Sequence, residues 1–399
     1  SGANTHTGTT RIVNGILRAS NNVATVNNAF GTTAGGVVVT YGGTLELAGG
    51  GSVPAEQLDI AGVGDANAAS VGLRNVSGSN TWNGNVVLQT SSINRDAIEV
   101  ASATTLILGG AGVVSGQGLS KTGSGTLQLA GTAANTFGGG GLLVWQGTVS
   151  LNKTVGVNAV ATTATVGDNV GGANADQLVW LANNQVADGN NVDPNSSGRL
   201  DYATFTDTIN AFTARAGVNS SATITGTSGV LTINADSTVD VISGSGGGSA
   251  GPVNIAGNLG LGGTAPRTLT VNDTFAVNDL NLSGVLSGVN FQKGGAGRMT
   301  LAGNNSAYAG TITLNGGEMV VNNANALGTT AGNTAVNNGF SLLLNGVTTS
   351  EPFNINGIGF GGQGAIRQVI GNGVLTGGIT LAGTATIGVN SGLTLDVNS

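Results

Sequence analysis

Cysteine is absent from this 399-residue chain, so it can hold neither a disulfide framework nor a thiolate metal site. Histidine occurs once, at His6, which removes His-paired metal centres and leaves a single ring for any catalytic triad. Proline occurs five times, and the 72 glycines do not recur at every third position, which excludes a collagen triple helix. No apolar run approaches the roughly 18 residues of a membrane-spanning helix, so insertion of this segment into a bilayer is not expected. Only 8% of residues are charged, against roughly 25% in an ordinary globular domain. Lys and Arg are scattered singly and the formal net charge is −7, so nothing is clustered to displace counterions and nucleic acid is not an expected partner.

Low charge also separates the chain from disordered sequences, which combine high net charge with low hydrophobicity; here the mean hydropathy is +0.20. What fills the sequence is glycine and asparagine, which suit turns, with valine, threonine and leucine, which suit strands. The composition predicts an all-β protein.

Internal repeats sharpen that expectation. KTGSGTLQLAG runs from Lys121 to Gly131, KGGAGRMTLAG from Lys293 to Gly303, and a third core, GTLELAG, from Gly43 to Gly49. In each, two apolar residues flank a polar one: Leu127 and Leu129 around Gln128, Met299 and Leu301 around Thr300, Leu45 and Leu47 around Glu46. That period of two turns both apolar groups to one side of a strand. The pattern returns at Leu231 to Ile233, Leu269 to Val271, Leu280 to Leu282 and Leu393 to Leu395.

A second element follows, AANTFGG around Phe137 and NNSAYAG around Tyr308; SGANTHTG at the start has His6 in the aromatic place. A third element, NGxL or GGxM, supplies Leu17 and Met319, and an identical GTTAG then appears at Gly31 to Gly35 and at Gly328 to Gly332. LRNVSGSNTWNGNVVL from Leu73 lines up with IRQVIGNGVLTGGITL from Ile366. These matches divide the chain into a first module, 1–130, a divergent module, 131–302, and a partial second copy of the first, 303–399, joined in one continuous rod. The stretch 153–196 is the least regular, and Asp188 to Asn195 within it is expected to be a surface loop.

The succession K-x-G-x-G-T-L-x-L-x-G, N-T-aromatic-x-G, N-G-x-L resembles the autotransporter-associated β-strand repeat of bacterial surface proteins. The resemblance implies a right-handed parallel β-helix, export to the cell surface, and roles in adhesion, aggregation, biofilm or scaffolding. Family members also carry a membrane β-barrel translocator, for which this sequence has no counterpart. At about 20 residues per coil the chain would make roughly 20 short coils, each leaning on its neighbours for burial. Neither end reads as capped, so the chain is expected to be a segment of a tandem array or a subunit that stacks head to tail.

Catalytic alternatives have thin support. A β-helical polysaccharide lyase or hydrolase would need paired carboxylates; Asp236 with Asp240 and Asp201 with Asp207 are the candidates, each expected to be solvated surface. His6 is expected to pack or sit on the surface. GVGD at Gly62 to Asp65 resembles a calcium repeat but does not recur, so no metal and no cofactor is expected. Asn152, Asn195, Asn219 and Asn304 begin sequons that Asn and Thr richness alone would generate. Of Trp82, Trp145 and Trp180, all expected to pack, Trp82 lies in the polar stretch SGSNTWNGN and is the choice for a glycan contact. The sequence thus points to a non-catalytic extracellular structural solenoid that self-associates, with an adhesin for host, matrix or glycan as the rival reading.

Overall fold

The computed structural model describes residues 4–20, 29–61, 71–89, 95–242 and 250–398. The period-two triplets are strands in it. Thr126–Gly131 buries Leu127 and Leu129 and turns Gln128 outward, and Arg298–Leu301 does the same with Met299, Leu301 and Thr300. Among the described residues the strand pairings are parallel, each strand joining the equivalent strand one turn later, and an isolated antiparallel bridge links Ala216 and Ser221. Helical structure among the described residues amounts to a single 3-10 turn, Phe360–Gly362. No helix among them is long and apolar enough to cross a membrane. The fold is a parallel β-solenoid.

The chain forms two compact units, one of Ser1–Asp193, Gly198–Asp201 and Phe205–Asp207, the other of Pro194–Ser197, Tyr202–Thr204 and Thr208–Ser399. In the first, one face stacks Gly51–Val53, Ser79–Trp82, Thr105–Leu108, Thr126–Gly131, Gly147–Lys153, Asp176–Trp180 and Gly198–Asp201. In the second, a face runs from Thr223–Thr225 through Val253–Ile255, Leu280–Leu282, Arg298–Leu301, Glu318–Val321, Ser341–Asn345 and Ile366–Ile370 to Ile387–Val389. The two faces count seven and eight strands, so the turns number about 15 and not the 20 that the sequence suggested. The discrepancy lies in the corners. One turn can be as short as 19 residues, Leu280 to Met299, but Thr148 to Gln177 takes 29.

Aliphatic columns hold each unit together. Leu106, Leu127, Val149, Leu178 and Leu200 stand in register and are all buried. In the second unit Ile255, Leu282, Leu301, Val321 and Leu344 form such a column, which meets the buried amide of Gln368. Each aliphatic side chain so covered stabilises the fold by about 1.5–3 kcal/mol. Because every face asks for the same inward pattern, similar sequence can occupy different faces: GTLELAG lies in Gly43–Ala48, on the sheet that also carries Gly118–Thr122, while the matching KTGSGTLQLAG strand lies on the next face.

The second and third repeat elements also have physical counterparts. Asn135 accepts from Val114 N at 2.9 Å and donates to Ala159 O at 2.9 Å; Asn305 accepts from Leu286 N at 2.8 Å and donates to Ala326 O at 2.6 Å. Both are buried, where an unpaired amide would be costly, and each bridges three turns. The twin GTTAG segments seat against the chain alike, Thr32 N donating to His6 O and Thr329 N to Tyr308 O. Gly31 and Gly328 hold φ of +91° and +100°, and a Cβ on either would strike that same carbonyl, so only glycine fits. The stretch 153–196 is more regular than its sequence suggests, since Ala164–Val166 and Asp176–Trp180 pair in register with the preceding turn. The expected loop Asp188 to Asn195 is one only in part, because Val192–Pro194 is a strand with Val192 and Pro194 buried, and the irregularity of the stretch is confined to its corners.

Candidate functional site

Two corners of the solenoid turn about a buried lysine. Lys121 stands in register between Ile98 and Val144, an inward position in an otherwise aliphatic column. Its Nζ donates to Thr122 O at 2.9 Å, Gly123 O at 2.5 Å and Gln146 O at 2.9 Å. Lys293 stands between Leu269 and Leu314 and donates to Gly295 O and Gly316 O at 2.8 Å and to Gly297 O. An ammonium has three donors, and the corner offers three carbonyls released where the glycine turn leaves the sheet. Gln146 and Gly316 belong to the following turn, so each lysine ties two turns together. Burial pushes Lys121 down to about 7 against the pull of Asp176 and Glu99, and Lys293 down to about 8 against Asp279 and Glu318.

The sequence reading used these lysines as the first letter of a repeat and gave them no role. The recurrence of Lys directly before x-G-x-G was the available signal. It also missed Glu351, a buried carboxyl that accepts from Thr334 Oγ1 at 2.9 Å and that burial pushes up to about 7. A ladder of charges on the first unit, with Glu46 buried between two arginines, escaped it too. Arg18, Glu46, Arg74 and Glu99 occupy the polar middle positions of successive strands, in register and alternating in sign, with contacts of 2.6, 3.3 and 3.1 Å.

The outer surfaces of the two lysine corners differ. Trp145 N donates to Lys121 O at 3.0 Å and Asn315 N to Lys293 O at 2.8 Å, so Trp145 and Asn315 hold the same place. Trp145 is 45% exposed. With Ser124, Gln146, Asp168 and Val170 it lines a concave cavity of about 340 Å³. The far wall is the corner between Ala164–Val166 and Asp176–Trp180, where Gly167, Asn169, Gly171, Gly172 and Asn174 adopt left-handed φ and Asp168 Oδ1 accepts from Val170 N at 2.9 Å. Around Asn315 the cavity is about 320 Å³ and is lined by glycines with Phe340 and Phe360.

Trp82, the expected glycan contact, is corrected by the structure. It has no exposed surface: its Nε1 donates to Glu56 O at 2.8 Å and its ring meets Phe30 at 5.7 Å between centroids. Of the polar letters around it, Thr81 faces outward and Asn83 and Gly84 form the corner, while Asn80 is itself inward and donates to Asn75 Oδ1 at 2.6 Å beside the indole's place. Trp180 is buried likewise and donates to Asp207 Oδ2 at 2.5 Å. That leaves Trp145 as the exposed indole.

The carboxylate pairs do not converge. Asp207 points inward and also accepts from Gln185 N and Val186 N, both at 2.9 Å, whereas Asp201 points outward to Arg199 at 2.6 Å. Asp236 Oδ1 accepts from Thr268 N at 2.9 Å, and Asp240 lies on the outward face of Ser237–Val241, opposite Arg215. His6 is exposed and its Nε2 lies 3.1 Å from Thr10 Oγ1, while Phe137 and Tyr308 in the equivalent places are buried. Asn152, Asn219 and Asn304 are exposed and Asn195 is half-buried, accepting from Arg215 at 3.0 Å. Gly62 to Asp65 lie outside the described residues.

A family model described as passenger-associated-transport-repeat matches residues 1–19, 119–151 and 291–321. The second and third of these contain the Lys121 and Lys293 corners whole. No curated protein and no solved structure matches the chain. The chain thus carries three matches to the passenger-associated-transport-repeat, on a parallel β-solenoid.

Proposed function

We propose that this chain is a non-catalytic, extracellular structural passenger, a stalk or scaffold whose turns stack on further turns of the same kind, those of a tandem array or of a second copy. The observation that carries the reading is the state of the edge strands. Leu381 is 63% exposed although it stands in register on the wholly buried Ile355; Ile387 likewise rests on Ile366, and Val397 on Leu375. Leu17 in the first unit is exposed above buried Leu45. These side chains continue buried columns one step further, and their strands present unpaired backbone, the pairing surface of a solenoid edge. The separate orientations of Asp201 and Asp207 favour this reading over a carbohydrate-cleaving enzyme, which needs two carboxylates facing one bond.

Sedimentation velocity across a concentration series, with electron microscopy of the same samples, tests it. The expected result is concentration-dependent end-to-end assembly, abolished by Leu381→Lys with Val397→Lys. A chain that stays monomeric at all concentrations, or assembles equally with both lysines in place, overturns it. An adhesive role, the second reading, is favoured by the exposed indole at the Lys121 corner.

A further inference from the structure

We propose that the cavity beside Trp145 is a carbohydrate subsite for uncharged pyranose units. This goes beyond the structural role and does not depend on it. Four observations converge on the site. An indole is the costliest side chain to leave half in water, and here a repeat that elsewhere uses Asn315 in the same place presents one on a corner. Neighbouring polar groups lie on the rim: the exposed side chains of Asp168, Gln146 and Ser124. A corner lengthened by several left-handed residues adds Asp168 and Val170 to the lining, whereas the cavity at the Lys293 corner is lined by glycines with Asn315, Phe340 and Phe360 and holds no charged group. The cavity volume, about 340 Å³, falls at the small end of ligand pockets, which suits a short oligosaccharide.

The chemistry selects among ligands. A pyranose presents a patch of C–H groups to an aromatic face and a ring of hydroxyls to carboxylate and amide groups at the edge; this site offers both in one concavity. A carboxylate acceptor such as Asp168 makes the stronger, charge-assisted hydrogen bond to a hydroxyl donor. None of the residues lining the cavity is Lys or Arg, while Asp168 and Asp176 both line it, so a uronic acid or sialic acid would meet two carboxylates there.

The geometry supplies its own reporter. Trp82 and Trp180 are buried, so quenching of indole fluorescence by acrylamide reports mainly Trp145. The full chain is titrated with cellotriose, maltotriose and tri-N-acetylchitotriose, and with trigalacturonate as the anionic counterpart, by isothermal calorimetry and by fluorescence. At least one neutral trisaccharide is expected to bind and to shield Trp145 from acrylamide, while trigalacturonate does not. Trp145→Ala is expected to weaken that binding by tenfold or more, and Asp168→Ala by about tenfold, the scale of one lost charge-assisted hydrogen bond. Thermal melting of Trp145→Ala should match the parent, Asp168→Ala should melt slightly lower because it also loses the bond from Val170 N, and Trp145→Phe should retain part of the affinity. Absence of binding by every neutral sugar, preference for trigalacturonate, or affinity unchanged in both alanine variants overturns the proposal.

Discussion

The corners at Lys121 and Lys293 share an interior and differ in surface. Inside, each lysine serves three carbonyls, two in its own turn region and one in the turn above, and each following glycine, Gly147 and Gly317, holds a left-handed φ over the same place. Outside, one corner presents Trp145, Gln146 and Asp168 while the other presents Asn315 and Phe340. Within one chain, the features that recur are those without which a corner leaves buried carbonyls unpaired. The features that diverge are not needed for the turn, so they are where a specific role can be carried.

The sharpest way to break this comparison is to remove the lysines. Lys121→Met and Lys293→Met keep the stem and take away the ammonium, leaving three carbonyls without their donor. Each is expected to destabilise its corner by about 3 kcal/mol, which hydrogen exchange reads as roughly a hundredfold loss of protection in the adjoining strands. Exchange is the suitable measure because stability in a solenoid is local to neighbouring turns. If one variant costs as much as expected and the other almost nothing, the corners are not equivalent.

Next in size are Gly147→Ala and Gly317→Ala. A Cβ on Gly147 would lie 2.6 Å from Gly123 O and 2.7 Å from Gly125 O, and one on Gly317 would strike Gly297 O, in both cases at positive φ. About 2 kcal/mol is expected at each site, read by the same exchange measurement. Equal losses sharpen the comparison; a loss at Gly147 alone would mean that the second corner is looser than its hydrogen bonds imply.

How much of this was legible beforehand follows from which interactions write themselves into a period. Leu127, Leu129, Met299 and Leu301 announced inward rungs because strand geometry repeats every second residue, and GTTAG announced matching seats because Gly31 and Gly328 answer to the same clash. Trp82 misled for a physical reason: the residues flanking it are polar because they face outward or turn, and neighbours in sequence on a strand face the opposite way. Lys121 was seen and not understood, since a lysine in an inward register becomes favourable only when a corner supplies acceptors, and those come from residues as far away as Gln146. The cavity at Trp145 was not legible, because its wall is contributed by Asp168 and Val170, one turn on. Coil number failed on the same ground: corner length leaves no periodic trace.

A pH series probes the interiors. Lys121 and Lys293 have folded pKa values near 7 and 8, below the 10.5 of an unfolded lysine, so between those limits the unfolded chain binds more protons. Stability contributed at these corners therefore rises with pH from about 7 toward 10.5, and the slope is expected to shrink in each Met variant. Glu351 works in the opposite sense in its own window. Its folded pKa of about 7 exceeds the unfolded 4.5, so stability falls as pH rises from 4.5 through 7, and Glu351→Gln is expected to flatten that limb. Exchange rates at matched intrinsic chemistry, compared between parent and variant, separate the two.

The smallest expected effect is on the surface, and it carries the most weight for function. Trp145→Asn gives the first corner the residue that the second already has, in a place where the backbone bond to Lys121 O does not involve the side chain. Stability should change by no more than about 0.5 kcal/mol, the ordinary range for exposed positions. A larger loss, with exchange accelerating in Gly147–Lys153 and Asp176–Trp180, would mean that the indole braces the long corner holding Asp168. The wall and the ring would then be one structural device, and the difference between the corners would belong to folding rather than recognition. Near-neutrality leaves an aromatic side chain that the fold does not require, standing in a concavity that the corner was lengthened to form.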